Sequence, residues 1–216
     1  MINRSEEDYL KTIYDLKSYK NESIIKSLDI AESLGFTDQS VNEMIKKLSK
    51  KGYLNYIPYK GVELTDLGTK EAIRMVRAHR IWEVFLMNEL KYSWDQVHEE
   101  AELLEHTANP ELIEKLYIYL GKPEYCGHGN PIPNLEGKIA QAYTKRLIDF
   151  EVSEVFTLKR VLDNKELLLF LSNNNITLNS SFIVKSKDLF SGIIKIENKK
   201  SEVIITNKIT KMLFGI

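Results

Sequence analysis

The chain has 216 residues, of which 43% are hydrophobic and 28% charged, an ordinary composition for a globular protein with two or three domains. It has no apolar run near the roughly 18 residues of a membrane span and no signal-peptide core, so we expect a cytoplasmic protein without a membrane partner. A single cysteine, Cys126, excludes an internal disulfide bond, and the net charge of −1 hides a basic segment at 37–60 and an acidic one at 92–114.

The N-terminal part of the sequence predicts three short helices. Apolar residues recur at helical spacing over residues 5–17, 27–34 and 37–51. The second helix should bury Leu28, Ile30, Ala31 and Leu34. The N-caps that we predict are Ser5, Ser27 and Thr37, and the residues that end the second and third helices are Gly35 and Gly52.

A β-hairpin is predicted after these helices. Segments 53–57 and 62–64 are rich in β-forming residues and flank the turn-forming tripeptide Tyr59-Lys60-Gly61. The second and third helices are joined by only about four residues, LGFT, which is the spacing of a helix-turn-helix. A helix-turn-helix followed by a hairpin with a basic tip predicts a winged helix-turn-helix, which is a DNA-binding unit.

The third helix has the side chains of a helix that reads DNA. Small polar residues near its start can reach base edges, while lysines further along it and on the hairpin can neutralise phosphates. The alternative is a lysine-rich, solvated helix of a structural bundle. The residues predicted to bind DNA are Thr37, Gln39, Ser40, Asn42, Lys46, Lys47, Lys50 and Lys60, and Lys51 adds positive charge.

A long helix is predicted from Thr65, its N-cap, to about Leu90. Its last turns, IWEVFLMNEL, are apolar around most of the circumference, so they are either deeply buried or shared with a partner. Because DNA readers of this kind commonly use a two-fold axis, we expect a homodimer. His79 and Glu83 lie one turn apart on this helix and form either a surface ion pair or a pair of metal ligands.

The acidic stretch HEEAELLEH occupies residues 98–106. On a helix from about Ser93, one side carries His98, Glu102, Glu105 and His106, next to an apolar stripe. A merely solvated acidic face is the alternative, but it would favour interspersed lysines, and the stretch has none. Carboxylates and imidazoles together predict a divalent transition-metal site. The apolar stripe consists of Val97, Ala101, Leu104 and Ala108.

A Gly- and Pro-rich loop, YCGHGNPIP, follows the helices. Cys126 and His128 are two residues apart and can ligate one ion if the loop curls. The alternative is a buried small cysteine and a capping histidine. A di-metal oxidase would need paired Glu-x-x-His motifs, whereas the sequence offers a single Asp95-x-x-His98, so we assign no catalytic residue and expect no enzyme.

The C-terminal part, from about Leu147, is β-rich. Strands are predicted in SEVFTLKRVL, SSFIVKS, GIIKIE and EVIITN, which Asn-containing turns separate. Residues 163–171 can form one helix. This β-module has either a functional role or a packing role only.

The order and spacing of five motifs resemble the diphtheria toxin repressor family of iron- and manganese-dependent repressors, especially its manganese-sensing members. The motifs are SEEDYLKTIYDL, VNEMIKKLSKKGYLNYIPYKGVELTDLG, AHRIWEVFL, VHEEAELLEH and HGNPIP. The resemblance implies a mainly α fold with α+β parts. It comprises a winged helix-turn-helix over 1–64, a helical metal-binding and dimerisation domain over 65–140 and a small SH3-like β-barrel over 147–216.

The resemblance also implies two metal sites. The primary site joins Asp8 to Glu102, Glu105 and His106, with His79 nearby as a further ligand. The second site is open between two sets, either Glu83, Cys126, His128 and Asp163, as in manganese regulators, or His79, Glu83 and His98, as in iron sensors. Iron sensors carry sulfur ligands at the positions of Asp8 and Glu102, so the carboxylates here favour Mn²⁺, with Fe²⁺ as the alternative. The thiolate of the second site would also accept Zn²⁺ or Cd²⁺ in vitro.

The function that follows is metal-dependent repression of genes for metal-ion uptake, with no small-molecule substrate. Bound metal would fasten the DNA-reading domain to the dimerisation domain, fix the spacing of the two reading helices and so couple metal affinity to affinity for double-stranded operator DNA. Two alternatives stay open: a constitutive winged-helix protein that ignores metal, and a metal-storage or hydrolytic protein that ignores DNA.

Overall fold

The computed structural model describes residues 2–20, 22–107, 109–188, 190–199 and 201–216. Internal contacts divide the chain into two compact units, each made of several segments. The first unit comprises Met1–His79, Leu103–Glu114 and Pro133–Lys138, and the second comprises Arg80–Glu102, Lys115–Ile132 and Ile139–Ile216. The division into three domains at 1–64, 65–140 and 147–216 stays a prediction.

The elements confirm the predicted fold class: three helices and a hairpin, further helices, and a C-terminal antiparallel sheet. They are α1 Arg4–Lys20, α2 Ser27–Leu34, α3 Asp38–Lys50, β1 Leu54–Ile57, β2 Gly61–Leu64, α4 Asp66–Asn88, α5 Val97–Leu104, α6 Pro110–Tyr119, a 3-10 turn Leu147–Asp149, β3 Val155–Val161, α7 Lys165–Asn173, β4 Ser181–Asp188, β5 Ile193–Glu197, β6 Glu202–Ile205, α8 Asn207–Thr210 and β7 Leu213–Gly215. Among the residues described, no helix has both the length and the apolar character needed to cross a bilayer.

The helix boundaries confirm some predicted caps and contradict others. The Thr37 side chain accepts a hydrogen bond from the backbone N–H of Ser40 at the start of α3, as predicted. The Ser5 prediction is wrong because α1 begins at Arg4, and Asn3 forms a reciprocal capping box with Glu6 instead. The Ser27 prediction is also wrong, since Ser27 is already the first helical residue and the N-cap residue, Lys26, makes no capping hydrogen bond with its side chain.

Two further details differ from the predictions for α2 and α5. Leu28 is 56% exposed because it lies roughly 160° around the helix from Ile30, which is buried. Helix α5 begins at Val97 rather than near Ser93, and it ends at Leu104, so that Glu105 and His106 lie in the following turn. In the predicted stripe, Val97 and Ala101 are buried. Leu104 is only partly buried, and Ala108 lies outside the described residues.

The core of the first unit holds α1, α2, α3 and the hairpin together. Strands β1 and β2 are antiparallel, with Leu54 opposite Leu64 and Ile57 opposite Gly61. A side chain at Gly61 would lie 2.1 Å from the carbonyl oxygen of Ile25, so only glycine allows this approach. The buried side chains are Tyr9, Leu10, Ile13, Ile25, Ile30, Val41, Ile45, Leu48, Leu54 and Val62.

The second unit contains a five-stranded antiparallel sheet in the order β6-β5-β4-β3-β7. The four predicted strands correspond to β3, β4, β5 and β6, and the predicted helix to α7. Strand β7 and helices α6 and α8 were not predicted. Helix α7 begins at Lys165 because the Asn164 side chain caps it by accepting from the N–H of Leu167, which leaves Asp163 in front of the helix. The core includes Phe156, Leu158, Leu168, Val184, Ile194 and Ile196.

Glu6 connects α1 to α3, the helix that is predicted to read DNA. Its side chain is fully buried and lies 2.7 Å from Lys51 Nζ and 3.1 Å from Lys47 Nζ. Burial raises the pKa of this carboxyl, but the bonds from Lys51, from the Asn3 backbone and from Lys47 outweigh burial and lower the pKa to about 2.

We expect Glu6→Gln to lower the free energy of unfolding by about 2 kcal/mol, because a buried charged acceptor of several hydrogen bonds is lost. Denaturant unfolding measures this effect, with Glu32→Gln on the exposed side of α2 as the matched control. Equal unfolding midpoints for both variants would show that the contacts between α1 and α3 contribute nothing.

Candidate metal sites and nucleic-acid surface

The residues predicted to bind DNA form an exposed surface on α3 and the hairpin. All eight, from Thr37 to Lys60, are exposed. The Gln39 amide lies 3.4 Å from Glu43, and the Thr37 and Ser40 hydroxyls are 3.0 Å apart. Lys47 also pairs with Glu6, so Lys46, Lys50 and Lys60 are the cations of this surface that are best placed to meet phosphates.

Within the first unit, Asp8, Glu105 and His106 form what we call the primary cluster. Each offers one ligand atom, and these atoms lie within 4.8 Å of one another. Asp8 comes from the second turn of α1, while Glu105 and His106 come from the turn that ends α5. Glu105 is fully buried and His106 nearly so. Two carboxylates and one imidazole, of which Asp8 alone is more than slightly exposed, form a ligand set that suits a divalent transition metal.

Hydrogen bonds orient His106 for ligation. Its Nδ1 lies 2.7 Å from the Glu7 carboxylate, which is held in turn by Arg74 at 2.5 Å. With the Nδ1 proton donated to Glu7, the lone pair of Nε2 faces the cluster, 2.9 Å from Asp8 Oδ1 and 3.6 Å from Glu105 Oε1. Within the described part of the chain, this buried Nε2 has no hydrogen-bond partner of acceptable geometry. A cation ligated by these three atoms fits this arrangement, because it would satisfy the nitrogen and separate it from the oxygens.

Glu105 has two further neighbours in the first unit. His79 Nδ1 lies 2.5 Å from Glu105 Oε2, which places His79 beside the primary cluster, and its role as a further ligand stays a prediction. Lys11 Nζ lies 2.8 Å from Oε1 and 3.0 Å from Oε2 of the same carboxylate. The sequence reasoning missed both Lys11 and Glu7, because neither has a spacing that distinguishes it from an ordinary surface charge.

A second cluster lies within the second unit and comprises Glu83, His98, Cys126, His128 and Asp163. Two overlapping groups share Glu83: one joins it to Cys126 and His128, and the other to His98 and Asp163, with ligand atoms within 4.8 Å in each group. His128 Nδ1 lies 2.9 Å from Glu83 Oε1 and 2.5 Å from Asp163 Oδ1. The structure therefore brings together all four residues of the manganese-type set.

The loop that carries Cys126 and His128 curls tightly. The N–H of Gly129 donates to the carbonyl of Cys126, and a side chain at Gly129, with φ of +79°, would lie 2.0 Å from the carbonyl oxygen of Lys159. His128 Nε2 lies 2.7 Å from the carbonyl of Trp94, which fixes its proton there and leaves Nδ1 facing the carboxylates. The backbone thus orients this imidazole for ligation.

The surroundings of the second cluster shift the pKa values of Cys126 and His128. Burial, followed by the charge of Glu83, raises the pKa of the Cys126 thiol to about 11. Burial also lowers the pKa of His128, but Asp163 and Glu83 outweigh it and hold that pKa well above its usual value. A divalent cation would take the place of the protons on the thiol and the imidazole and would compensate the charge of the two carboxylates. A thiolate among the ligands would suit soft ions as well as Mn²⁺.

One predicted ligand, Glu102, lies outside the sets described so far. Glu102 belongs to the second unit, where its Oε1 is 3.6 Å from His98 Nε2, and its part in the primary site stays a prediction from the resemblance. The iron-type set of His79, Glu83 and His98 also stays a prediction. Within the second unit, His98 Nδ1 lies 4.0 Å from Glu83 Oε1.

Two family models match the chain. The model described as the iron dependent repressor N-terminal DNA-binding domain matches residues 1–62. The model described as the iron dependent repressor metal-binding and dimerisation domain matches residues 65–134. These ranges contain all eight predicted DNA-binding residues and every predicted metal ligand except Asp163.

Several curated relatives are transcriptional regulators. An HTH-type transcriptional regulator of Methanocaldococcus jannaschii is 37% identical over 56% of this chain and 96% of its own length. The regulator MntR of Lysinibacillus sphaericus is 34% identical over 52% of this chain and 91% of its own. The iron-dependent repressor IdeR of Mycobacterium tuberculosis is 33% identical over 60% of this chain, and that match spans only 55% of IdeR.

Solved structures match almost the whole chain. The manganese regulator SloR has a TM-score of 0.85 at 34% identity and covers 97% of this chain and 96% of its own. A manganese-dependent transcriptional repressor in complex with manganese has a TM-score of 0.88 at 30% identity and covers 98% of this chain and 99% of its own. The similar regulator ScaR has been solved with Zn²⁺ and with Cd²⁺.

Proposed function

Because the chain belongs to the diphtheria toxin repressor (DtxR/MntR) family of metal-dependent transcriptional repressors, which are not enzymes, we propose that it binds operator DNA as a homodimer when loaded with Mn²⁺. Its targets would be genes for metal-ion uptake. The two family models and the C-terminal sheet support three domains at 1–64, 65–140 and 147–216.

One observation carries this proposal: the primary cluster and the DNA-reading helix are both connected to α1. Three consecutive acids of α1 make these contacts. Glu6 pairs with Lys47 of α3 and with Lys51, the residue that follows α3. Glu7 and Asp8 both contact His106. A cation ligated by Asp8 and His106 would fasten α1 to the segment that follows α5. Because Glu6 links α1 to α3, the ion would restrict the positions that the reading helix can adopt. Bound metal would then raise the affinity of the protein for DNA, and bound DNA would raise its affinity for metal.

Manganese is the ion that we propose for the primary site. Asp8 and Glu105, with Glu102 as the fourth ligand that the resemblance adds, are hard oxygen donors, and only His106 contributes nitrogen. The solved relative with manganese supports the same choice. Fe²⁺ is the alternative, since the same ligand set would accept it.

The test is a comparison of DNA affinity with and without metal. Operator sequences are first selected from random duplexes with Mn²⁺-loaded protein and are then titrated in Mn²⁺ and in chelator. We expect affinity at least ~100-fold higher with Mn²⁺, which corresponds to about 2.7 kcal/mol. Equal affinity in both conditions would indicate a constitutive DNA-binding protein, and metal binding without any selected duplex would indicate a storage protein.

For the second site we propose Glu83, Cys126, His128 and Asp163 as ligands. Cys126→Ser should weaken Cd²⁺ binding by about 100-fold but Mn²⁺ binding by less than about tenfold, because sulfur contributes most to soft ions. The ultraviolet absorption of a cadmium thiolate reports the site directly. Asp8→Asn serves as the control and should keep this absorption. If Cys126→Ser also keeps its Cd²⁺ affinity, the second site is the alternative set of His79, Glu83 and His98.

A further inference from the structure

Lys11 is a buried cation in contact with a carboxylate that the proposed function assigns to the metal. It is only 8% exposed, and its ammonium group donates to both oxygens of Glu105, at 2.8 and 3.0 Å. Lys11 follows Asp8 by three residues, so the same face of α1 carries both an anionic ligand and a cation. This contact joins residues 94 positions apart in the sequence.

The contact has an electrostatic reason. Glu105 is fully buried, and a buried carboxylate is costly unless a positive group compensates its charge. Around it lie His79 at 2.5 Å, His106 at 3.6 Å and the Lys11 ammonium, while Asp8 and Glu7 add negative charge nearby. The ammonium group of Lys11 places a positive charge in contact with both oxygens of Glu105.

We propose that Lys11 is an internal competitor of the metal ion that sets the affinity of the primary site. A divalent cation bound to Glu105 takes over at least one oxygen that Lys11 holds, and the two cations repel each other at this distance. The ammonium therefore stabilises the metal-free form more than the metal-bound form. It raises the metal concentration at which the repressor responds, without being a ligand itself. This inference rests on the proposed primary site.

The test measures Mn²⁺ affinity in full-length variants that also carry Cys126→Ala and His128→Ala, so that the second site does not contribute. Lys11→Met keeps the length of the side chain and removes its charge. It should bind Mn²⁺ about tenfold more tightly in competition with a fluorescent chelator, which corresponds to ~1.4 kcal/mol. Lys11→Arg keeps the charge and should stay close to the parent protein. The matched control is Lys20→Met, which removes a lysine of α1 that pairs with Asp29 instead.

Thermal unfolding separates competition from a merely structural role. Without metal, Lys11→Met should unfold at a lower temperature, because Glu105 then lacks its counter-charge, whereas at saturating Mn²⁺ the variant and the parent should unfold together. Unchanged or weaker Mn²⁺ affinity in Lys11→Met would overturn the inference, and so would an equal loss of thermal stability with and without metal.

Glu105→Gln distinguishes this failure from a failure of the proposed function. If Glu105→Gln abolishes tight Mn²⁺ binding but Lys11→Met changes nothing, the primary site stands and Lys11 is no competitor. If Glu105→Gln leaves Mn²⁺ affinity unchanged, the primary site itself is wrong. With both correct, the effect of Lys11→Met should vanish in the Glu105→Gln background.

Discussion

Asp8→Ala is expected to yield a folded dimer whose DNA binding no longer responds to Mn²⁺. Asp8 is partly exposed and its loss leaves the apolar core intact, so the unfolding temperature without metal should change little. The variant loses the one primary-site ligand that α1 contributes, and with it the link between the ion and the helix that holds α3. The Mn²⁺ concentration for half-maximal operator binding should rise at least ~100-fold, or about 2.7 kcal/mol.

The matched control for this variant is Asp15→Ala, which removes an acid from the same helix about two turns further along. The two variants should have the same net charge and different Mn²⁺ responses. A normal Mn²⁺ response in Asp8→Ala would remove Asp8 from the site and leave the proposed switch without its connection to α1.

Replacing Lys46, Lys50 and Lys60 together by Ala should weaken operator binding by about 100-fold at physiological salt, because three phosphate contacts are lost. The plot of log affinity against log salt should become shallower by about 2.7, since each phosphate contact contributes roughly 0.9. Mn²⁺ binding in the absence of DNA should be unchanged, because none of these lysines contacts the primary cluster among the described residues.

An equal change of charge elsewhere provides the control. Lys185, Lys195 and Lys208 are exposed lysines of the C-terminal part, and their replacement by Ala changes the net charge by the same amount. Only the first triple variant should alter the salt dependence strongly. If both triple variants weaken DNA binding equally, the effect is one of net charge and α3 is not the reading helix.

Local sequence patterns predicted most of the fold. Apolar spacing placed α1, α2, α3 and α4, and β-forming segments on either side of a turn placed the hairpin, since these elements depend on residues a few positions apart. Caps were less predictable, because Asn3, Ser5 and Ser27 all have side chains that can cap a helix. Whether such a residue is the N-cap depends on where the helix begins, which is at Arg4 for α1 and at Ser27 for α2. Strand β7 is only three residues long and is defined by its pairing with β3, which no local pattern reveals.

In the candidate sites too, residues that are close in the sequence were predictable and contacts between distant residues were not. Glu105 and His106 were predictable because they are adjacent to each other within one acidic stretch, and Cys126 with His128 because two residues separate them. Contacts between distant parts of the chain were not predictable from residue spacing. Glu7 meets His106 across 99 positions, and Lys11 meets Glu105 across 94. Asp8 and Asp163 entered the predictions only through the resemblance, which supplies long-range contacts that spacing lacks.

The central claim is that an ion held by Asp8, Glu105 and His106 controls the DNA-reading helix. The most direct measurement is an anomalous difference map at the manganese absorption edge from crystals of the Mn²⁺-loaded protein. We predict a strong peak within ligand distance of an Asp8 carboxylate oxygen, a Glu105 oxygen and His106 Nε2. A map with manganese only at the second cluster, and with Asp8 turned away from Glu105 and His106, would contradict the claim.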